Sequence, residues 1–373
     1  MISGILDLAG RDGGFLRRQV ASYTPTPADV RVGGDLIRRL GLRPGDEIEG
    51  EPRPGGRGGP NTLDRVVTVN GRPPDALRDR PAFTSLGAVH PRERLRLESD
   101  PGPRGQPDPT ARVIDLLCPF GKGQRALIVA PAKAGKTTVL QRIIEGVGRN
   151  HPASALWILL VDERPEEVAE MEMAGYGEVV ASTFDHPAAR HVALAELVLE
   201  RARRRVELGE DVVLIVDSLT RLARAYNAVE RGTGRTLSGG LDAQSLERPK
   251  RFLGSARTVD PAQGTGSLTI VATALVDTGS KMDQVIFEEF KGTGNSELTL
   301  SRELAERRIF PAIDLSGSTT RREELLLDPA ELAASHELRR RVSGMSPADA
   351  MQTLLGEFRR GRSNADVVRA VGG

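Results

Sequence analysis

The stretch Ala126-Leu-Ile-Val-Ala-Pro-Ala-Lys-Ala-Gly-Lys-Thr-Thr138, running on into Val139-Leu-Gln-Arg-Ile-Ile144, decides the fold. Ala126–Val129 is a short apolar run with strand character, and the apolar residues from Val139 onward recur at helical spacing. A tight loop lies between them, and Gly135-Lys136-Thr137 opens the helix. Strand, loop and helix N-terminus in that order make a phosphate cradle. Backbone N–H groups point at phosphate oxygens, and the helix dipole favours negative charge there. Lys136 would reach the β and γ phosphates, and the Thr137 hydroxyl would ligate Mg²⁺. The general form of this loop begins with Gly five residues before Gly135, where this chain has Ala130.

The chain has 373 residues, long enough for two or three domains, and its 39% hydrophobic content suits a globular core. A net charge of +1 announces no general nucleic-acid surface, so any such surface is local. The single cysteine, Cys118, forms no intramolecular disulfide and fits a reducing cytoplasm. The N-terminus does not resemble a signal peptide. The longest apolar run, Ala155–Val161, has the length of a buried strand and is too short to span a bilayer, so no membrane partner is expected. Among 52 basic residues only six are Lys: Lys122, Lys133, Lys136, Lys250, Lys281 and Lys291. Arg serves almost everywhere else, which marks these six as positions suited to a compact ammonium on a flexible stem.

Residues 1–72 read as a small β-domain. Ser3–Leu8, Gly14–Arg17, Asp29–Val32, Asp46–Gly50 and Arg65–Val69 are short strand-like runs separated by Gly, Pro and Asp, with one helical turn at Leu36–Leu40. That pattern predicts a closed barrel of the OB or cold-shock type, either a generic barrel or a single-strand RNA binder. Residues 73–118 read as a connector containing the Pro-rich run Asp100–Pro109. The alternating charges around Arg92 read as a solvated face. Residues 119–373 read as an α/β domain, with buried parallel strands at Ala126–Val129, Leu156–Val161, Val212–Val216 and Leu268–Ala272. Helical patterns at Glu166–Ala174, Ala188–Leu208 and Leu219–Val229 connect them.

Two carboxylates stand where such a sheet places its ligand. Glu163, which with Asp162 forms a carboxylate pair at the end of the second strand, is placed to polarise water, with Arg164 beside it for phosphate. Glu166 and Glu167 after Pro165 read instead as helix-capping chemistry. Asp217 ends Asp211-Val-Val-Leu-Ile-Val-Asp217, where it would hold Mg²⁺ opposite Thr137. The segments Gly232–Gly240, Gly279–Met282 and Phe290–Asn295 read as loops, plain surface or suited to a phosphate backbone, the last two carrying Lys281 and Lys291. Arg307–Asp314 and Thr320–Glu323 place cations beyond the last strand.

With Ala130–Thr138, Val161–Val168, Ala181–Asp185, Asp217–Asn227, Gly279–Asn295 and Arg308–Asp314 in view, the chain resembles the bacterial transcription termination factor Rho family. The resemblance runs from about residue 3 to about residue 330 and implies a RecA-like ATPase domain behind the barrel. It implies a homohexameric ring with ATP and Mg²⁺ between subunits, driving 5′→3′ translocation along single-stranded nascent RNA and dissociation of the RNA polymerase elongation complex. It casts Lys133, Ala134, Gly135, Lys136, Thr137 and Thr138 as the phosphate loop, with Glu163 the catalytic base. Asp217 then partners the metal with Thr137. Arg164 would sense the neighbouring site, and Arg321 would be an arginine finger. Phe310 would stack on adenine, and Gly121, Lys122, Gly123, Gln124, Arg125 and Ala126 would form a second nucleotide-contacting segment. Ser238, Lys281 and Lys291 would grip RNA in the channel. Asp12, Gly13, Gly14, Phe15, Leu16, Arg17, Asp29, Val30 and Arg31 would form the barrel's RNA site. The chain departs from the family at Gly13 and Arg31, where aromatics are usual, and at Pro60-Asn-Thr62, where Glu-Arg-Tyr is usual. The family's small helical domain ahead of the barrel is not among these residues. A rival reading is an RNA-binding ring that ATP merely switches. A rotary-type ATPase subunit is a third, opposed by the barrel and the channel-loop lysines.

Overall fold

The computed structural model describes residues 1–10, 13–56, 59–99, 108–230, 236–237, 240–242 and 245–372. Asp12 and Ser238 lie outside the described residues.

Alternation of apolar and polar residues builds the barrel. Strands β1 (Ile2–Leu8), β2 (Gly13–Arg17), β3 (Val30–Gly33), β4 (Glu47–Arg53) and β5 (Thr62–Val69) close in the order β1-β2-β3-β5-β4, with α1 (Gly34–Leu40) between β3 and β4. Leu6, Leu16, Val30, Val32, Ile48, Leu63 and Val69 point inward and fill it. The barrel is docked firmly on the larger domain. Arg43 donates to Glu207 at 3.0 Å, and the buried Arg80 makes a two-pronged pair with Asp46 at 2.7 and 2.6 Å. Arg201 donates to the Tyr23 hydroxyl at 2.9 Å and to Glu178 at 2.7 Å, and stacks 4.3 Å from the centre of the Trp157 ring.

After the barrel come β6 (Ala88–Val89), β7 (Arg94–Leu95), α2 (Pro109–Leu117), β8 (Phe120–Gly121), β9 (Arg125–Pro131), α3 (Lys136–Asn150), β10 (Ala155–Glu163) and α4 (Pro165–Ala174). The next elements are β11 (Glu178–Thr183), α5 (Ala188–Val206), β12 (Asp211–Asp217) and α6 (Leu219–Val229). The short strands β13 (Thr236–Leu237) and β14 (Leu241–Asp242) lead to α7 (Glu247–Gly254), β15 (Arg257–Val259), β16 (Ser267–Val276) and α8 (Lys281–Lys291). The chain ends with β17 (Ser296–Leu300), α9 (Arg302–Glu306), β18 (Ile313–Thr320), α10 (Pro329–Arg341), α11 (Pro347–Arg360) and α12 (Asn364–Gly372).

The main path of the large sheet runs β11-β10-β12-β16-β9-β17-β18, parallel except for β18, which pairs antiparallel with β17, and β15 and β6 add antiparallel pairings beside β16. Side chains alternate between two apolar layers. Ala126, Ile128 and Ala130 of β9, Ile158 of β10 and Ile215 of β12 face a layer with α2, α3, α10 and α11, while Leu127, Leu159 and Leu214 face α5, α6 and α8. This is the expected α/β architecture preceded by a small barrel.

Three readings change. Arg94 is buried and paired with Glu331 at 2.6 Å, so the charge alternation near Arg92 is partly interior. Lys281 and Lys291 are not on loops but begin and end α8. Ser280 caps that helix by accepting from the Asp283 N–H at 3.4 Å, and Ile286 and Phe290 bury its apolar face. The edge strands β11 and β18 and the neighbouring β17 have no counterpart in the sequence reading, because their alternation is short and half polar.

Candidate nucleotide site and RNA-facing surfaces

The site assembles at the carboxyl ends of the parallel strands, where an open α/β sheet places its ligand. Leaving β9, the chain turns through Lys133 at φ 64° and Gly135 at φ 85°, and Gly135 caps α3. Both residues take the left-handed region, which lets successive N–H groups converge on one point. Lys136 is the first residue of α3. Its ammonium donates to both oxygens of Asp217, at 2.6 and 2.7 Å, and to Glu163 at 3.4 Å. Burial alone would lower the Lys136 pKa, but Asp217 and Glu163 outweigh it and the pKa is raised.

Glu163 ends β10 and is only 3% exposed, while Asp217 ends β12 at 2%. Burial and then the neighbouring charge of Asp217 push the Glu163 carboxyl up to about 7, against the opposing pull of Lys136 and Arg221. A carboxylate poised near neutrality suits a group that accepts a proton from water. A β-bulge between Val161 and Glu163 re-aims the strand end, with Asp162 at φ 57°.

Sequence reading missed two members of this cluster. Thr273, on the strand between β12 and β9, donates its hydroxyl to Asp217 at 2.6 Å. Arg221, on the first turn of α6, donates to Asp162 at 2.9 Å and lies 3.3 Å from Glu163. The signal for Arg221 was its position one turn after the cap Ser218, which aims it back at the sheet edge. Thr273 gave no signal without the strand order, whereas Asp162 belongs to the carboxylate pair that the end of the second strand displays.

The other expected nucleotide residues separate into groups. Phe310 is 47% exposed and lies over the loop, since a Cβ on Gly135 would meet its ring at 3.6 Å. Ala134 is buried beneath the loop, while Lys133 and Thr138 are exposed and Thr137 half-buried. Arg164 caps α4 with its side chain largely in solvent.

Gly121 to Ala126 do not join this site. They lie at the amino end of β9, about 20 Å along the strand from the loop. There Lys122 pairs with Asp211 at 2.8 Å, Gln124 accepts from the Gly121 N–H at 2.7 Å, and Ala126 is core. Arg321 shares that far edge. Thr320 stands opposite Ser296, Ser296 opposite Ala126, and the Arg321 charge adds to burial in lowering the Arg125 pKa. Arg321 is therefore directed away from the Lys136 of its own chain.

On the barrel, Leu16 and Val30 are 2% and 6% exposed and belong to its core, so their side chains are not RNA contacts. Asp29 is buried too, accepting from Arg17 at 2.6 Å and from Thr26 at 2.8 Å. Gly14 is pressed against β1, where a Cβ would meet the Asp7 carbonyl oxygen at 2.5 Å. Phe15, Arg17 and Arg31 share the outer face. Lys281 borders a cleft of about 440 Å³ with Thr278, Ser280 and Gln284. Lys291 lies at the far end of α8, about 15 Å away.

Residues 110–320 match the ATP synthase alpha/beta family, nucleotide-binding domain, and residues 2–75 match the Rho termination factor, RNA-binding domain. Transcription termination factor Rho of Gemmatimonas aurantiaca is 56% identical over 92% of this chain, which spans 47% of that relative's length. Rho of Aquifex aeolicus is 51% identical over 99% of this chain and 84% of its own, and Rho of Cereibacter sphaeroides 49% identical over 97% and 85%. A solved ATPase from a type III secretion system of pathogenic bacteria superposes with a TM-score of 0.61 at 24% identity, covering 82% of this chain and 85% of its own, which speaks for the fold alone. No helix among the described residues is long and apolar enough to cross a membrane. The chain belongs to the transcription termination factor Rho family.

Proposed function

We propose that the chain is an RNA-dependent ATPase and 5′→3′ RNA translocase that binds nascent RNA and dissociates the RNA polymerase elongation complex in the cytoplasm. The observation that carries this reading is the split of catalytic groups between two sheet edges. Lys136, Glu163 and Asp217 meet at one edge, and Arg321 stands at the other. Such a chain needs a second copy to complete a site, which supports a homohexameric ring. In the division we adopt, residues 1–72 capture RNA, 73–118 connect, and 119–373 drive.

The residues fit the chemistry. Thr137, Asp217 and Glu163 are the hard oxygen donors that Mg²⁺ takes together with phosphate oxygens, and Thr137 and Asp217 would hold it. When bound, that ion would neutralise charge on the β and γ phosphates of ATP. The phosphates would draw Lys136 away from its two carboxylates. Glu163, steadied by Arg221, would orient and deprotonate the attacking water. A neighbour's Arg321 would meet the charge that develops. Arg224, one turn beyond Arg221 on α6, grips Asp283 at 2.7 and 2.5 Å near the start of α8. One rigid helix thus touches both the water-activating carboxylate and the helix bearing Lys281, which supports coupling between hydrolysis and RNA.

The test is the ATP hydrolysis rate with and without cytidine-rich RNA, together with displacement of a paired strand. RNA stimulation with displacement is expected. Stimulation without displacement would favour a ring that ATP only switches, and no stimulation would remove the proposal.

A further inference from the structure

The segment Gly121–Ala126 does not join the site of its own chain, yet it is bonded closely to Asn295. The Arg125 N–H donates to the Asn295 side-chain oxygen at 2.9 Å, and the Asn295 N–H donates back to the Arg125 carbonyl at 2.9 Å. The Asn295 carbonyl in turn accepts from the Gln124 side-chain amide at 3.2 Å and from the backbone N–H of Arg321 at 3.0 Å. Gln124 is only 1% exposed, and its oxygen takes the Gly121 N–H at 2.7 Å, so its amide nitrogen is the end left for Asn295.

Strand order brings these groups together. Asn295 directly precedes β17 and Arg321 directly follows β18, and the two strands pair antiparallel with Ser296 opposite Thr320. One residue before Arg321, the Thr320 hydroxyl donates to the Pro119 carbonyl at 3.0 Å. β18 is an edge strand, so these bonds to Pro119 and Asn295 are what hold its end.

Two adjacent arginines leave this anchor differently. The chain turns through the left-handed region at Arg322, φ 60°, and Arg322 pairs with Glu324 at 2.5 Å. The Arg321 side chain is exposed, and its guanidinium has no hydrogen-bond or ion-pair partner among the described residues. Behind it, Arg125 donates to the carbonyls of Thr293 and Ala256 at 2.9 and 3.3 Å, which fixes a second positive charge in place. The two charges feel each other, since Arg321 adds to burial in lowering the Arg125 pKa. A fixed cation pushes a movable one outward.

We propose that Gln124, Arg125 and Asn295 form the seat of Arg321 and set where its guanidinium reaches in a neighbouring copy's ATP site. They act through Arg321 and are positioning residues. The proposal rests on reading Arg321 as acting across the subunit interface. A long arginine side chain has wide freedom of its own, so its reach is set by the backbone from which it springs. Loss of the seat should shift the guanidinium by about an ångström, a misplacement that can cost about 10²-fold in rate. Strand β9 then serves two sites. Its carboxyl end carries the Lys136 loop of one, and its amino end seats the arginine delivered to the next.

The experiment is RNA-stimulated ATP hydrolysis by Asn295→Ala rings, alone and mixed in equal parts with Lys136→Ala or Arg321→Ala chains. Alone, Asn295→Ala should lose about 10- to 100-fold in kcat and as much in kcat/KM, since Arg321 meets charge that develops only in the transition state. Asn295→Asp keeps the acceptor for the Arg125 N–H and should stay within about threefold of the parent. Mixed with Lys136→Ala, whose Arg321 is seated, Asn295→Ala should recover as far as an Arg321→Ala and Lys136→Ala mixture does. Mixed with Arg321→Ala it should not recover, because no copy then carries a seated Arg321. The reverse pattern would place the damage in the variant's own loop and overturn the seat. So would recovery in neither mixture, a parent rate in Asn295→Ala, or an Asn295→Asp as slow as Asn295→Ala. If the Arg321→Ala and Lys136→Ala mixture itself stays inactive, the reading of Arg321 fails and takes the seat with it. If that mixture recovers and the one with Asn295→Ala does not, the reading stands and only the seat is removed. Gln124→Met removes the other donor to the Asn295 carbonyl at similar side-chain length, and it replaces Asn295→Ala in the mixtures if Asn295→Ala does not melt with the parent.

Discussion

At the carboxyl edge of the large sheet, Lys136, Glu163, Asp217, Thr273 and Arg221 are withdrawn from solvent and bonded to one another. On the outer face of the barrel, Phe15 and Arg31 stand at the surface, and the Arg31 guanidinium has no hydrogen-bond or ion-pair partner among the described residues. Both regions are read as meeting nucleotides, yet they are organised in opposite ways. The sheet edge keeps its charges in a low-dielectric setting, where each interaction is strong and each loss leaves a neighbour unpaired. The barrel face keeps its charge in water, where it is weak, screened and free to follow a moving strand. Chemistry that needs fixed geometry sits in the first setting, and grip that needs tolerance sits in the second.

Substitutions that break this contrast should differ in size accordingly. The largest effect is expected for Arg321→Ala, which should lower RNA-stimulated ATP hydrolysis by ~10³–10⁵ with the ring still formed, as measured by steady-state kinetics. Glu163→Gln should cost ~10²–10⁴ in kcat with little change in KM. Because the Glu163 carboxyl is raised to about 7, its base form is lost as pH falls through that value. The parent's kcat should therefore decline on the acid side of neutrality, and the variant should lack that limb.

The same shift has a stability sign. The folded protein binds this proton more tightly than the unfolded chain, so the group's contribution is most favourable below its unfolded pKa. It is lost as pH rises towards about 7. Without nucleotide, Glu163→Gln should melt higher than the parent above neutral pH and lose that advantage in acid.

Between the two regions lies the dock of the barrel. Arg201→Ala would leave Glu178 and the Tyr23 hydroxyl facing an emptied, largely buried position, and should cost ~3–5 kcal/mol in denaturant unfolding. If barrel and sheet melt as one unit in the parent, this variant is where they should first separate. The smallest effect is expected for Arg302→Ala, whose i,i+4 pair with Glu306 is exposed on both sides. Its stability should change by no more than ~0.5 kcal/mol.

Legibility in the sequence divides along the same line. Local signals were sufficient for the Lys136 loop, Glu163 and Asp217, because a strand end with a polar residue and a helix start is written in consecutive residues. Short strand-like runs separated by Gly, Pro and Asp were enough for the barrel. Contacts set by strand order were not legible. Thr273 meets Asp217 only because β16 lies beside β12, and Arg321 faces away from Lys136 only because β18 returns antiparallel along β17. Lys281 was read as a loop residue because Gly279 and Ser280 precede it. Here Ser280 caps a helix and Arg224 anchors that helix through Asp283.

On the proposed arrangement, each ATP site takes Lys136, Glu163 and Asp217 from one copy and Arg321 from the next. Mixing Lys136→Ala and Arg321→Ala chains tests it most directly, since each should be inactive alone. In a random equal mixture, about a quarter of the interfaces would join an intact loop to an intact Arg321. RNA-stimulated ATP hydrolysis is expected to return on mixing. A mixture that assembles into rings and stays as inactive as its parts would contradict it.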